Sequence, residues 1–62
     1  MKNRLNEILY SQGRRKTWLA DQAHVNKNTI SRIINGQEPK LKTAYRIAKV
    51  LGVTVYDIWP PD

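Results

Sequence analysis

Lys27, Asn28, Ser31, Arg32 and Asn35 lie in the stretch from Asn26 to Gly36. Wound as a helix at about 100° per residue, they fall within an arc of about 140°. All five carry hydrogen-bond donors, and two are cations. Ile33 lies nearly opposite that arc with Ile30 beside it, so one side of the helix can pack while the other meets a polar partner. Amides and an arginine on one short helix match what base edges in a DNA major groove ask for. Other chemistry lacks parts. The five acids, Glu7, Asp21, Glu38, Asp57 and Asp62, are spread over separate elements, and there is one histidine, His24, and no cysteine. That set assembles neither a catalytic constellation nor a metal site. No enzymatic activity, metal or cofactor is expected.

The composition points the same way. Sixty-two residues make one domain, 1–62, with one small core; a chain this short buries only about 60% of its unfolded surface. Without disulfides or a thiolate metal site, stability has to come from well-packed helices or a second subunit. Eleven Lys+Arg against five Asp+Glu give a net charge of +6 and a pI near 10.1, which suits a polyanionic partner. No apolar run approaches the ~18 residues of a membrane span, and the N-terminus lacks a signal-peptide core. A cytoplasmic protein is the expectation.

The elements that must position the five donors read as helices. Residues 2–12 form a first helix on Leu5, Ile8 and Leu9, with Asn3 as its cap and Gly13 as its stop. Arg14-Arg15-Lys16 is a three-cation run at a helix junction, either a solvated turn or a clamp for phosphate; its position favours the clamp. A second helix starts near Lys16 or Thr17 and ends near Ala23, with Leu19 and Ala23 inward. Trp18 either covers the core or sits partly exposed near a partner. His24-Val25-Asn26 is the turn, with His24 where positive φ is required. Asn26 is the N-cap of the third helix, its side chain accepting from the Thr29 amide. That helix ends at Asn35-Gly36. A fourth helix spans 41–51 with Leu41, Ala44, Ile47, Ala48 and Leu51 inward and Gly52 as its stop. Of its cations, Lys42 and the preceding Lys40 are better placed for a DNA backbone than Arg46 and Lys49. From Val53 to Trp59 the alternation admits a strand, but Thr54 with Asp57 three residues on favours a short, boxed helix. Pro60-Pro61 ends regular structure. Trp59 must fold back onto the first helix or meet another subunit.

The run from Leu19-Ala20, through the His24-Val25 turn, the Asn26 cap and Thr29-Ile30-Ser31, to Asn35-Gly36 resembles the helix-turn-helix of the phage repressor and Cro family. Pro39, Leu41, Ile47-Ala48 and Leu51-Gly52-Val53 continue the likeness over nearly the whole chain. It implies an all-α, five-helix, lambda repressor-like domain with a helix-turn-helix at about 16–36. In such a domain the helix from Lys16 crosses the backbone, and the one after Asn26 enters the major groove N-terminus first. By position, Lys27, Asn28 and Arg32 would read bases, with Ser31 able to serve either bases or backbone. Lys16 and Asn35 would contact phosphate, joined by Arg15, Lys40 and Lys42. Ala20 is the small residue that lets the two helices approach.

Four residues depart from the pattern: Arg15 for a Ser or Thr cap, Lys16 for Gln, His24 for the turn Gly, and Ile34 for a polar residue. Ile34 flanks the polar arc and can fill the core, touch a thymine methyl or join a dimer contact. The resulting expectation is a sequence-specific double-stranded DNA-binding regulator, a repressor in most relatives of this kind. It would act as a homodimer on a pseudo-palindromic operator with half-sites about 34 Å apart. Tyr56, Ile58 and Trp59 are the candidate dimer contacts. The alternative is a protein-interaction module, an antitoxin or anti-repressor partner, using a patch of Trp59 with Ile34 or Trp18.

Overall fold

Eight residues of helix cannot hold themselves together in water, so each helix of this chain exists through what it buries. The computed structural model describes residues 3–61. In chain order it has α1 (Leu5–Ser11), α2 (Lys16–Ala23), α3 (Lys27–Ile34), α4 (Leu41–Leu51) and α5 (Val55–Ile58), with no strand among the described residues. The architecture is the all-α, five-helix, lambda repressor-like one. α2 packs on both α3 and α4, and α5 on α4. Every helix contributes to one core: Leu5 and Leu9, then Leu19, Ala20 and Ala23, then Ile30 and Ile33, then Ile47, Ala48 and Leu51, and finally Ile58.

α1 starts at Leu5, three residues later than the expected start at residue 2, which lies outside the described residues. Two bonds set that start, one of them across the fold. The Arg4 amide donates to the Ile58 carbonyl at 2.8 Å, and Asn3 Oδ1 accepts from the Leu5 amide at 3.0 Å. The N-cap position itself falls to Arg4, which makes no side-chain cap bond, so Asn3 sits one residue before the place expected of it; its Oδ1 still serves the first helical amide, and its Nδ2 donates to the Ile33 carbonyl at 2.7 Å. At the other end of α1, Gln12 Nε2 donates to the Leu51 carbonyl at 2.9 Å. The flanks of α1 thus reach carbonyls at the C-terminal ends of α3, α4 and α5; those of Leu51 and Ile58 lie past the last helical donor, and that of Ile33 also accepts from the Gly36 amide at 3.0 Å.

The α2–α3 turn is built as the sequence requires. His24 has φ 56° and ψ 45°, the left-handed conformation that ends α2, and the Val25 amide closes on the Ala20 carbonyl at 2.9 Å. At the equivalent end of α4 the same conformation falls to Gly52, at φ 71°. Asn26 caps α3, but its side chain accepts from the Asn28 amide at 2.7 Å instead of the Thr29 amide. The extended Asn26 backbone aims its short side chain at the nearer of the two free N–H groups. α5 carries the full box: Thr54 Oγ1 accepts from the Asp57 amide at 3.1 Å, and Asp57 Oδ2 accepts from the Thr54 amide at 2.9 Å. The Thr54 amide and hydroxyl hold the Asp57 carboxyl below its ordinary pKa, with Arg4 adding a smaller pull. The box therefore stabilises α5 above the ordinary carboxylate range and loses that contribution as pH falls through the lowered value.

Two expectations about apolar residues are overturned. Leu41 is 68% exposed and does not belong to the inward stripe of α4. As the first residue of that helix it lies at the edge of the molecule, sharing shallow recesses with Val55, Tyr56 and Trp59. Ile58 is fully buried, so it is the inward anchor of α5 and not a surface for a second subunit. Trp59 folds back against the core, half-buried, with its indole N–H enclosed and without an acceptor.

His24→Gly should raise the melting temperature. Relief of left-handed strain, about 1–2 kcal/mol, exceeds the ~0.5–1 kcal/mol by which glycine favours the unfolded chain. The expected net is a rise of a few degrees in thermal unfolding; a fall would mean that the imidazole stabilises the turn.

Candidate nucleic-acid interface

α3 divides its residues sharply between inside and outside. Ile30 and Ile33 have no exposed surface. Lys27, Asn28, Arg32 and Asn35 are exposed, and Ser31 is half-buried on the same side. None of these five side chains makes a hydrogen bond or ion pair among the described residues. Ile34, which the sequence left with three possible roles, is half-buried and packs against the core. Its position beside the polar arc is therefore a packing position at the edge of the helix seat.

The start of α2 lies close by. An open cleft of about 850 Å³ runs between α1 and the starts of α2 and α3, and Arg15, Lys16, Lys27 and Ser31 all line it. Arg15 is the N-cap of α2 in extended geometry and makes no side-chain cap bond, and Lys16 is the first helical residue. The first amides of α2 thus lack a side-chain acceptor from Arg15 and stand beside two cations, an arrangement that favours an anion. Arg32 and Asn35 continue the polar face toward the far end of α3. Lys40 and Lys42 stand apart from the cleft, exposed at the N-cap and second residue of α4.

Charge is left uncompensated over this surface. The ion pair among the described residues is Arg4 with Glu7, at 3.4 Å on α1, and Glu7 is the one carboxylate among the residues that line the cleft. None of the other described lysines and arginines has a carboxylate within 4.0 Å. A net charge of +6 held this way is self-repulsive, and a polyanion would relieve it. Among the described residues no group of His, Asp and Glu could hold a metal ion, and no helix is long and apolar enough to cross a membrane.

Two features of the surface were not expected from the sequence. Asn6 and Tyr10 of α1 form one wall of the cleft, Tyr10 being 88% exposed. Their placement was latent in the helical wheel: both fall roughly 100–140° from Leu5, off the Leu5-Ile8-Leu9 stripe. The second is a stacked pair. The Arg14 guanidinium lies 4.3 Å from the centroid of the Trp18 ring, while Trp18 itself packs half-buried against the core. Both alternatives for Trp18 thus describe part of it: it covers the core and keeps a face outward.

The candidate dimer residues divide. Tyr56 is 70% exposed, Trp59 is half-buried, and Ile58 is withdrawn from the surface. Leu41 and Tyr45, at 68% and 59% exposure, extend the apolar surface around Tyr56.

Compared with known proteins, the chain matches the helix-turn-helix family over residues 6–58. No curated protein matches it significantly.

The two sides of α3 should separate in a stability measurement. Ile33→Ala opens a cavity in the core and is expected to cost about 2–5 kcal/mol, enough to unfold much of so small a domain. Lys27→Ala with Arg32→Ala should leave the melting temperature within a few degrees of the parent, since exposed positions contribute within about 0.5 kcal/mol each. A large loss in the double variant would show that the polar face is structural.

Proposed function

We propose, for a chain that belongs to the helix-turn-helix family of DNA-binding domains, a sequence-specific transcriptional regulator of the phage repressor and Cro type. In this reading residues 1–62 form a single domain that occupies a pseudo-palindromic operator as a homodimer and represses transcription. The observation that carries it is the polar face of α3: five donor side chains, none engaged within the described residues, opposite two fully buried isoleucines. A face of that chemistry is stable only as long as something outside the protein accepts its hydrogen bonds, water in the free state and base edges in the bound one.

The roles follow from position. Lys27, Asn28 and Arg32 read bases, and Ser31 assists from the rim of the cleft. Arg32 has the planar fork that pairs with guanine, and Asn28 the amide that pairs with adenine. Arg15 and Lys16 hold a phosphate at the start of α2, Asn35 touches the backbone at the far end of α3, and Lys40 and Lys42 reach it beyond the loop. Counterion release from these cations supplies affinity, and α3 supplies discrimination. The reading needs no cofactor or metal.

One helix of eight residues reads too few base pairs to be selective, which favours two copies on one site. Half-sites one turn apart are separated by about 34 Å, while the longest extent of the Cα trace is 29 Å. Two copies so spaced meet only at their edges, so their contact is small. The exposed surface of Leu41, Tyr45 and Tyr56 beside Trp59 is the apolar edge available for it. A module that holds a protein instead of DNA was to use Trp59 with Ile34 or Trp18. All three lie half-buried against the core, and Trp18 carries Arg14 on its free face. That surface gives the alternative little support.

Duplex-binding measurements on two variants test the reading. Arg32→Ala is expected to lose about 1–3 kcal/mol on the preferred site while non-specific duplex binding is largely kept. Lys16→Ala should weaken binding to every duplex and reduce the slope of log K against log salt by about 0.9. An equal loss on all sequences for Arg32→Ala would remove it from base reading. An unchanged salt slope would remove Lys16 from the backbone.

A further inference from the structure

Arg14 is fixed at both ends. Its amide donates to the Leu9 carbonyl at 2.9 Å in the turn that closes α1, and the preceding Gly13 takes φ 66° to allow it. From that anchored backbone the side chain runs to the Trp18 ring, where the guanidinium carbon lies 4.3 Å from the centroid. The ring is the immobile member, because it packs half-buried against the core. A guanidinium lying over an indole face leaves its in-plane N–H donors free at its edge. Those donors are unused: the Arg14 side chain has no hydrogen bond or carboxylate partner among the described residues. Asp21 lines the same shallow recess as Arg14 and Trp18, yet the two do not pair.

The stack also lies on the border of the cleft described above, since Arg14 lines it together with Lys16 and Lys27. An ordered arginine, off the base-reading face, beside two further cations and with its donor edge free, has the chemistry for a phosphodiester oxygen pair. We propose that Arg14 is an additional contact to the phosphate backbone of bound duplex DNA, and that Trp18 is its positioning residue, holding the guanidinium in place before DNA arrives. The proposal rests on the DNA-binding reading and adds Arg14, with Trp18 behind it, to Arg15 and Lys16 at the α1–α2 junction. Ordering of a long, flexible side chain is completed in the free protein, so less of it has to be supplied on binding.

The test uses the full chain and a random-sequence duplex, with affinity measured by fluorescence anisotropy over a series of salt concentrations. Arg14→Ala should lower the salt slope by about 0.9, equivalent to roughly eightfold weaker binding at 0.1 M salt. Trp18→Phe keeps an aromatic face and should bind like the parent. Trp18→Leu keeps apolar packing without that face and should bind more weakly, and adding it to Arg14→Ala should cause no further loss. Arg14 is itself exposed and Arg14→Ala leaves the Trp18 packing on the core in place, so its result stands even if Trp18→Leu fails to fold. A parent that binds duplex while Arg14→Ala retains its full salt slope would overturn the phosphate contact. Independent, multiplying losses in the double variant would overturn the positioning role, as would a Trp18→Phe protein that folds but binds like Trp18→Leu. A parent that retains no duplex at low salt would overturn the DNA-binding reading itself. Retention of an acidic peptide with the same dependence on Arg14 and Trp18, and none of duplex, would assign the stack to a protein partner instead.

Discussion

Burial of Ile30 and Ile33 is the constraint on which the rest of the molecule depends. α3 is eight residues long, far below the length at which a helix persists alone in water. Its outward face of lysine, asparagine, serine and arginine contributes little to holding it. Two fully buried isoleucines therefore set both its existence and its rotation about its own axis. Rotation is what matters for reading a groove, because a shift of one residue, about 100°, would turn Arg32 toward the core. Ala20 keeps α2 slim where the two helices meet, and the left-handed His24 fixes the angle between them. The Asn3 side chain then ties the Ile33 carbonyl to the start of α1.

α1 has a second function in this scheme. Its flanks reach the C-terminal carbonyls of three other helices through Asn3, Arg4 and Gln12. A chain without disulfides and with a small core gains from such cross-links, since each ties the C-terminal end of another helix to α1. The same helix presents Asn6 and Tyr10 to the cleft and leads through Gly13 into Arg14. Stability and surface are thus joined in one element. The uncompensated cations impose the opposite tendency: self-repulsion weakens the free protein and is relieved when a polyanion binds.

Much of this was legible in the residues. Periodicity and stop signals located the first four helices, and the chemistry of Thr54 and Asp57 distinguished the fifth, a boxed helix, from a strand. The left-handed demand on His24 could be read because its place in the turn asked for glycine. What escaped reading depended on distance across the fold. A helical stripe assigns Leu41 inward, but a residue in the first turn is buried only if another element reaches past it, and none does. Ile58 looked like a free apolar group at a chain end until α5 turned it inward. The start of α1 moved because Arg4 bonds to Ile58, a partner 54 positions away. The split between the Asn28 and Thr29 amides was below what capping rules resolve. Within the candidate site, the division of α3 into two faces was fully visible in the wheel. The Arg14–Trp18 stack was not, because which way an arginine lies is decided by the ring beside it.

The central claim is that the polar face of α3 reads DNA sequence, and selection from a pool of random duplexes by the intact protein tests it most directly. The account predicts enrichment of one short motif in two inverted copies, with centres about 10 base pairs, or a multiple of that turn, apart. Recovery of a pool no different in sequence from the input, by protein shown to be folded, would contradict it.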